Sequence, residues 1–141
     1  MAEPTRRRIL FLCTGNSIRS QMAEALVNTF HSDVAEAVSA GSRPAGMVHP
    51  GAVRAMAERG VDIRAQQSKS ATPFLDQPFD VVVTVCDSAA NDCPSWPGAA
   101  RIEHWPIPDP SQAFGDAASR FAAVRDELAR RIETLVDELA R

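Results

Sequence analysis

Short apolar runs alternate with helix-forming segments along this chain, and this alternation constrains the fold more than any other feature of the sequence. Residues 7–12 and 80–85 are rich in aliphatic side chains, which is typical of buried strands. Weaker strand patterns cover residues 34–40 and 101–105. Because strands that alternate with helices form parallel sheets with right-handed crossovers, we expect one α/β domain over residues 1–141.

Three segments have the apolar spacing of amphipathic helices. The first is Met22–Phe30, which follows the turn-forming residues at the end of the first strand. The second is His49–Arg59, and Gly60 suits the position just past its end. In the third, Phe121–Leu139, apolar residues recur at steps of three and four. Their places between and after the predicted strands agree with the crossovers of a parallel sheet.

The composition predicts a soluble, cytoplasmic protein. With 141 residues and 45% hydrophobic side chains, the chain can bury a core without disulfides or metal ions. Its net charge of −3 argues against binding to nucleic acid or to an anionic membrane. No apolar run approaches the ~20 residues that cross a bilayer, and the run at 9–13 is too short for a signal peptide. Nothing indicates a large exposed apolar face, so we expect a monomer.

A Cys-x5-Arg-Ser sequence stands between the first predicted strand and the first predicted helix. Its residues are Cys13, Thr14, Gly15, Asn16, Ser17, Ile18, Arg19 and Ser20. At a helix N-terminus, backbone N–H groups and the helix dipole favour a thiolate and bind anions. The amides of Thr14–Ser20 would therefore hold a tetrahedral oxyanion, and the Arg19 fork can grip two of its oxygens.

Individual residues of this loop have further expected roles. Ser20 can donate its hydroxyl to the thiolate, and Gly15 and Asn16 are best able to adopt left-handed backbone angles. The alternative is a structural cysteine that ends a strand, with Arg19 on a solvated helix face. The strand–turn–helix context favours the catalytic interpretation.

The other two of the three cysteines are Cys86 and Cys93. Cys86 closes the strand at 80–85, and if that strand neighbours the first, Cys13 and Cys86 lie at the same edge. Adjacent strands are about 4.8 Å apart, which is within the reach of a disulfide. Three thiols in series can pass an oxidation from a buried site to the surface by thiolate exchange. The alternative is that Cys86 belongs to the core and Cys93 is incidental.

Asp109 follows the fourth predicted strand and therefore lies at the same edge of the sheet. A carboxylate there can donate or accept a proton during oxyanion chemistry. The alternative is a turn-forming aspartate before Pro110. The histidines His31, His49 and His104 have no visible partners, and we assign none of them a catalytic role. No Cys-x2-Cys pair and no His-x3-His spacing occurs, so we expect neither a metal nor a cofactor.

These residues resemble those of the thioredoxin-coupled arsenate reductases, which share a fold with the low-molecular-weight protein tyrosine phosphatases. The resemblance covers nearly the whole chain. It rests on the loop residues Cys13–Ser20, then Gln21–Glu24, Ser39–Gly41, Val83–Cys86, Asn91–Pro94, Glu103–Trp105, Asp109–Pro110 and Val124–Glu127. It implies a three-layer sandwich in which helices flank a four-stranded parallel sheet of order 2-1-3-4.

The resemblance also implies a reaction, the reduction of arsenate in arsenic detoxification. Cys13 would attack arsenate held by the loop and Arg19, giving a thiol–arsenate adduct. Cys86 would then attack Cys13 and expel arsenite. Cys93 would attack Cys86, leaving a Cys86–Cys93 disulfide for thioredoxin to reduce. Asp109 matches the acid/base aspartate of the family. The sequence leaves a glutaredoxin or mycothiol system open as the electron donor.

Two other functions remain as alternatives. A low-molecular-weight phosphotyrosine phosphatase would use Cys13, Arg19 and Asp109 alone. The phosphatases usually follow their Asp-Pro with tyrosine, whereas Ser111 follows here and the chain has no tyrosine. Phosphatase chemistry also gives no role to the second and third cysteines. The third candidate is an anion-binding redox sensor without turnover.

Overall fold

Four parallel strands form the centre of the fold, and their order is β2-β1-β3-β4. The computed structural model describes residues 6–85, 99–112 and 115–141. The strands are β1 (Arg7–Cys13), β2 (Ala35–Gly41), β3 (Phe79–Val85) and β4 (Ala99–Trp105). The helices are α1 (Arg19–Phe30), α2 (Pro50–Ala57) and α3 (Ala117–Leu139). Short 3-10 turns lie at Thr72–Phe74 and Pro110–Gln112.

Both faces of β1 are buried, and its aliphatic side chains point alternately to the two sides of the sheet. Ile9 and Phe11 belong to the larger core, to which all three helices contribute. Leu10 and Leu12 belong to a smaller core on the opposite face, where Ala71 packs. This burial explains the unbroken apolar pattern of the first strand, which is typical of parallel sheets. The predicted α/β class and strand order are confirmed.

The helix ends differ from the sequence prediction for local reasons. The second predicted helix extends to Arg59, but α2 ends at Ala57. The N–H groups of Arg59 and Gly60 bond carbonyls three residues back, and Gly60 has φ of +75°. These bonds tighten and close the last turn. The last helix begins at Ala117, before the predicted start at Phe121. The Asp116 side chain caps this earlier end by accepting from the N–H of Ala118.

Phe30 is another departure from the apolar pattern. Its position in the predicted helix indicates a core residue, but its ring is 46% exposed. The Arg59 guanidinium lies over it, 5.5 Å from the ring centroid. The last turn of α1 has therefore passed the edge of the core, and a cation–π contact covers the ring in part.

The carboxyl ends of the strands meet at one edge of the sheet, because all strand pairs are parallel. Cys13 pairs with Gly41 of β2, and Leu12 pairs with Thr84 of β3. The predicted neighbourhood of the first and third strands is therefore correct. Cys86 and Cys93 lie outside the described residues. Among the helices of the described chain, none has the length and apolar character needed to cross a membrane.

Candidate active site

The loop Thr14–Ile18 joins β1 directly to α1 at the carboxyl edge of the sheet. Cys13 is the last residue of β1 and is only 5% exposed. Ile18 stands at the N-cap position of α1, and no side chain caps this helix end. The first amides of the helix therefore remain available to a ligand, as they are in anion-binding helix N-termini.

The Cys13 sulfur lies within hydrogen-bonding distance of a hydroxyl and a backbone amide. The Ser20 Oγ is 2.8 Å from it, and the N–H of Asn16 points to it at an N···S distance of 3.2 Å. Ser20 Oγ also accepts from the Asn16 Nδ2 at 2.8 Å. That oxygen accepts the Asn16 amide proton, and its own hydrogen is available for donation to the sulfur. The sulfur thus has a hydroxyl and a backbone amide as available hydrogen-bond donors.

The carbonyl groups of the loop Thr14–Ile18 all accept hydrogen bonds from donors outside the loop. The pairs are Thr14 O with Arg43 N, Gly15 O with Ala45 N and Ser68 Oγ, Asn16 O with Gln21 Nε2, Ser17 O with His49 N, and Ile18 O with Met22 N. Because a trans peptide points its C=O and N–H in opposite directions, the N–H groups face the other way. The loop therefore forms a cup of amide donors beside the Cys13 sulfur, suited to a tetrahedral oxyanion.

The backbone of Asn16 and the contact of Gly41 with the loop show how tightly this segment is folded. Asn16 adopts the left-handed conformation with φ of +49°, whereas Gly15 does not, so only one of the two expected residues takes such angles. Gly41 of β2 lies directly against the loop, because a Cβ built on it falls 2.5 Å from the carbonyl oxygen of Thr14. A side chain at position 41 cannot be accommodated unless the backbone moves.

Arg19 links the loop to the segment after β4. Its guanidinium is buried, and Nη1 donates to the carbonyl oxygen of Ile107 at 2.8 Å. Asp109 lies two residues further along that segment and is half-buried. Its Oδ1 accepts from the N–H of Ser111 at 2.9 Å and from the Ser111 hydroxyl at 2.7 Å. Asp109 thus has a turn-forming role in addition to any role in proton transfer.

Three further residues, Gln21, Lys69 and Glu24, support the site. The buried amide of Gln21 contacts Asn16, and the backbone N–H of Lys69 donates to Asn16 Oδ1 at 2.8 Å. Lys69 also forms an ion pair with Glu24, with 3.5 Å between Nζ and Oε1. Gln21 occurs in a stretch that carries the family resemblance, but in the sequence it has the pattern of an ordinary helix residue. The family resemblance places Lys69 near the position of an acidic potassium ligand of some members, so the sequence predicts that the Lys69 ammonium takes the place of that ion.

The histidines make structural contacts. The N–H of His49 donates to Ser17 O at 2.9 Å, and its Nδ1 accepts from the N–H of Gly51. His49 thereby caps α2 and supports the loop at once. On the sheet, His104 Nδ1 lies 2.6 Å from the Thr84 hydroxyl. Within the described ranges, no group of three or more His, Cys, Asp or Glu side chains is arranged to hold a metal ion.

A cysteine beneath a cup of amides, at the strand-to-helix junction of a 2-1-3-4 parallel sheet, defines a known class of protein. The chain belongs to the low molecular weight phosphotyrosine protein phosphatase family, whose sequence profile matches residues 8–141.

Curated relatives of this chain are arsenate reductases. The enzyme of Halalkalibacterium halodurans is 42% identical over 135 residues, which cover 94% of this chain and 96% of that protein. The enzyme of Shouchella clausii is 43% identical over 136 residues, covering 94% and 97% respectively. The resemblance to arsenate reductases found in the sequence is thus confirmed.

Solved structures agree with these relatives. An arsenate reductase in the phosphate-binding state superposes with a TM-score of 0.82 at 32% identity, covering 94% of this chain and 98% of that one. A thioredoxin-dependent arsenate reductase of Corynebacterium glutamicum has a TM-score of 0.74 at 26% identity, with 99% of this chain and 66% of that one covered.

Proposed function

We propose that this chain reduces arsenate to arsenite through a relay of Cys13, Cys86 and Cys93, and that thioredoxin regenerates it. The observation that carries the proposal is the amide cup around the Cys13 sulfur, in a chain 42% identical to an arsenate reductase. Arsenate is a tetrahedral oxyanion, which matches the donors of the cup. The proposed partners are therefore arsenate and thioredoxin.

The first step is attack by the Cys13 thiolate on arsenic. The loop amides and the Arg19 guanidinium hold the other oxygens and stabilise their negative charge. A sulfur–arsenic bond forms, and one arsenate oxygen leaves as water after it is protonated. Asp109 is the proposed proton donor, because the Arg19–Ile107 hydrogen bond holds its segment at the loop.

The second step is the reduction itself. The Cys86 thiolate attacks the Cys13 sulfur, so that a disulfide bond forms while the sulfur–arsenic bond breaks. The electron pair of the broken bond remains on arsenic, which is reduced from As(V) to As(III) and leaves as arsenite. This step requires the two strand ends to be adjacent. In support, Leu12 of β1 pairs with Thr84 of β3, which ends at Val85, and the next residue in the sequence is Cys86.

The third step restores the nucleophile. The Cys93 thiolate attacks Cys86, releasing Cys13 as a thiolate and leaving a Cys86–Cys93 disulfide. The two thiols of thioredoxin then reduce that disulfide and become oxidised themselves. In support, the C. glutamicum neighbour is a thioredoxin-dependent arsenate reductase.

The deciding experiment follows arsenate-dependent oxidation of thioredoxin by the wild type, Cys86→Ser and Cys93→Ser. We expect multiple turnover only in the wild type. Cys93→Ser should release about one equivalent of arsenite and stop at a Cys13–Cys86 disulfide, which mass spectrometry detects after acid quenching. Cys86→Ser should bind arsenate and release no arsenite. Sustained turnover in either variant would refute the relay. Parallel assays in which glutaredoxin or mycothiol replaces thioredoxin test the identity of the electron donor.

Phosphatase activity is the second candidate, favoured by the match to the phosphotyrosine protein phosphatase profile. Hydrolysis would need Cys13, Arg19 and Asp109 but neither distal cysteine. Aryl phosphate hydrolysis that is rapid in the wild type and unchanged in both serine variants, with no arsenate-dependent thiol oxidation, would establish it in place of the reductase.

A further inference from the structure

The side chain of Gln21 is completely buried next to the loop Thr14–Ile18, which we call the oxyanion loop. Its Nε2 lies 3.0 Å from both the carbonyl oxygen and the Oδ1 of Asn16, and 2.9 Å from the carbonyl oxygen of Gln67. Its Oε1 accepts from the Gln66 Nε2 at 2.7 Å. The orientation of the Gln21 amide is therefore fixed, because acceptors surround its nitrogen and a donor faces its oxygen.

Gln21 acts on Asn16, the residue of the loop that adopts a left-handed backbone conformation. Asn16 has a left-handed φ, and its carbonyl is held by the Gln21 side chain. Backbone N–H groups hold the other loop carbonyls, with Ser68 adding a hydroxyl at Gly15. Gln21 is thus the side chain that keeps this peptide turned outward and its neighbouring N–H directed inward.

The same contact fixes the side-chain amide of Asn16. The Oδ1 accepts from Gln21 Nε2 and from the N–H of Lys69, so the Nδ2 is left to face Ser20. When Cys13 is the nucleophilic thiolate, it carries no hydrogen, so the Ser20 hydroxyl is the donor to the sulfur 2.8 Å away. The donors form a chain that runs in one direction. It passes from Gln66 to Gln21, then Asn16, Ser20 and Cys13.

We propose that Gln21 is a positioning residue that fixes the direction of this donor chain, and thereby keeps the Ser20 hydroxyl as a donor to the Cys13 sulfur and the cup open to an oxyanion. The proposal rests on the proposed function in taking Cys13 as the nucleophile. Without Gln21, the Lys69 N–H is the remaining donor to Asn16 Oδ1, so the Asn16 amide can rotate more readily and present its oxygen to Ser20. The Ser20 hydroxyl then donates to Asn16, and the sulfur loses a donor.

The test uses the full chain with Cys86→Ser and Cys93→Ser, so that Cys13 is its only thiol. Gln21→Met keeps the size of the side chain and removes its hydrogen bonds. We expect the pH midpoint of thiolate formation, followed by ultraviolet absorbance, to rise by about one unit. Alkylation by iodoacetamide, measured at a pH more than about one unit below both midpoints, then slows about tenfold, because in that range the thiolate fraction falls in proportion. The affinity for inorganic phosphate, measured by calorimetry, falls about tenfold as well.

Gln67→Met is the matched control. The Gln67 side chain is exposed and makes no hydrogen bond among the described residues, so this variant should match the parent in both measurements. A purely structural role for Gln21 predicts lower thermal stability with an unchanged midpoint. A folded Gln21→Met protein with the parental midpoint and phosphate affinity would therefore overturn the proposal.

Gln66→Met provides a second, milder variant in case Gln21→Met does not fold. Gln66 is half-buried, and its Nε2 donates to both the Oε1 and the backbone carbonyl oxygen of Gln21, so we expect alkylation to slow by about threefold. An unchanged rate in this variant would also overturn the proposal. These measurements need no arsenate, so failure of the arsenate reductase assay would refute the proposed function and leave this result standing.

Discussion

Gly41 belongs to a neighbouring strand, yet it determines how closely that strand can approach the oxyanion loop. A Cβ at this position would lie 2.5 Å from Thr14 O and 3.0 Å from Asn16 Cβ. At Gly15, within the loop itself, a Cβ would find its nearest neighbour at 3.7 Å, an ordinary contact. Gly41, which lies outside the loop in the sequence, therefore has no space for a side chain. Gly15, which lies within the loop, has space for a methyl group.

We predict that Gly41→Ala destabilises the fold by about 1–3 kcal/mol, the usual cost of overpacking a tight interior. Its phosphate affinity should fall too, because the loop must move to relieve the clash. Gly15→Ala is the matched control and should unfold within about 0.5 kcal/mol of the wild type. Urea titration and phosphate calorimetry on the three proteins measure both quantities, and equal stability of the two variants would contradict the packing argument.

At the residue scale, the sequence identifies the candidate nucleophile and anion-binding residues better than the residues that position them. Cys13, Arg19 and Ser20 are recognisable because Cys-x5-Arg-Ser stands between a strand and a helix. The role of Gln21 is not, because it depends on Gln66 and Lys69, which are distant in the sequence. Such contacts between separate segments arise only when the chain is folded.

Helix α3 begins at a capped end. The Asp116 carboxylate accepts from the Ser119 hydroxyl at 2.7 Å and from the Ala118 N–H at 3.1 Å. The Ser119 hydrogen bond is the main reason that the pKa of Asp116 lies below its usual value. A carboxyl group with a lowered pKa in the folded state stabilises the fold above its unfolded pKa. That contribution is lost as the pH falls through the folded value.

We predict that Asp116→Ala lowers the melting temperature at neutral pH and that the difference from the wild type narrows as the pH approaches about 3. Asp116→Asn keeps the accepting oxygen without the charge, so its smaller deficit should not vary with pH in this way. Thermal unfolding by circular dichroism at both pH values distinguishes these cases. A deficit of constant size in Asp116→Ala would show that the carboxylate charge is not involved.

At the scale of elements, the sequence predicted the strands and helices because their periodicities are strong and tertiary contacts do not oppose them. The central strands are recognisable from their continuous apolar runs, which reflect burial on both faces of the sheet. The 3.6-residue period marks Phe121–Leu139 within α3. The ends were less accurate, because a cap such as Asp116 lies outside the apolar pattern. Sequence separation also hides the contacts of the segment at 43–49 with the loop.

The oxyanion loop connects distant parts of the whole molecule. It follows β1, begins α1, contacts the segment at 43–49, and reaches the segment after β4 through Arg19 and Ile107. An anion that binds the loop amides and Arg19 at once should therefore stabilise the entire domain, because it favours the folded state in which these parts are together.

We predict that inorganic phosphate raises the melting temperature in a concentration-dependent manner. At about one hundred times its dissociation constant, the expected stabilisation is about 2.7 kcal/mol. Arg19→Ala should lose most of this effect, while Arg54→Ala, which removes an exposed arginine of α2, should keep it. Sodium chloride at matched ionic strength controls for screening, and an equal rise with chloride would refute specific binding.

The outward orientation of the loop carbonyls also bears on how an arsenate-reducing chain tells its substrate from phosphate. A pocket of backbone amides and one guanidinium recognises four oxygens around a central atom and is indifferent to the identity of that atom. Phosphate must then compete with arsenate for this pocket. The two anions are distinguished at the later step, in which the central atom is reduced. Thiols reduce arsenic from As(V) to As(III), whereas they do not reduce phosphorus, so bound phosphate is released unchanged.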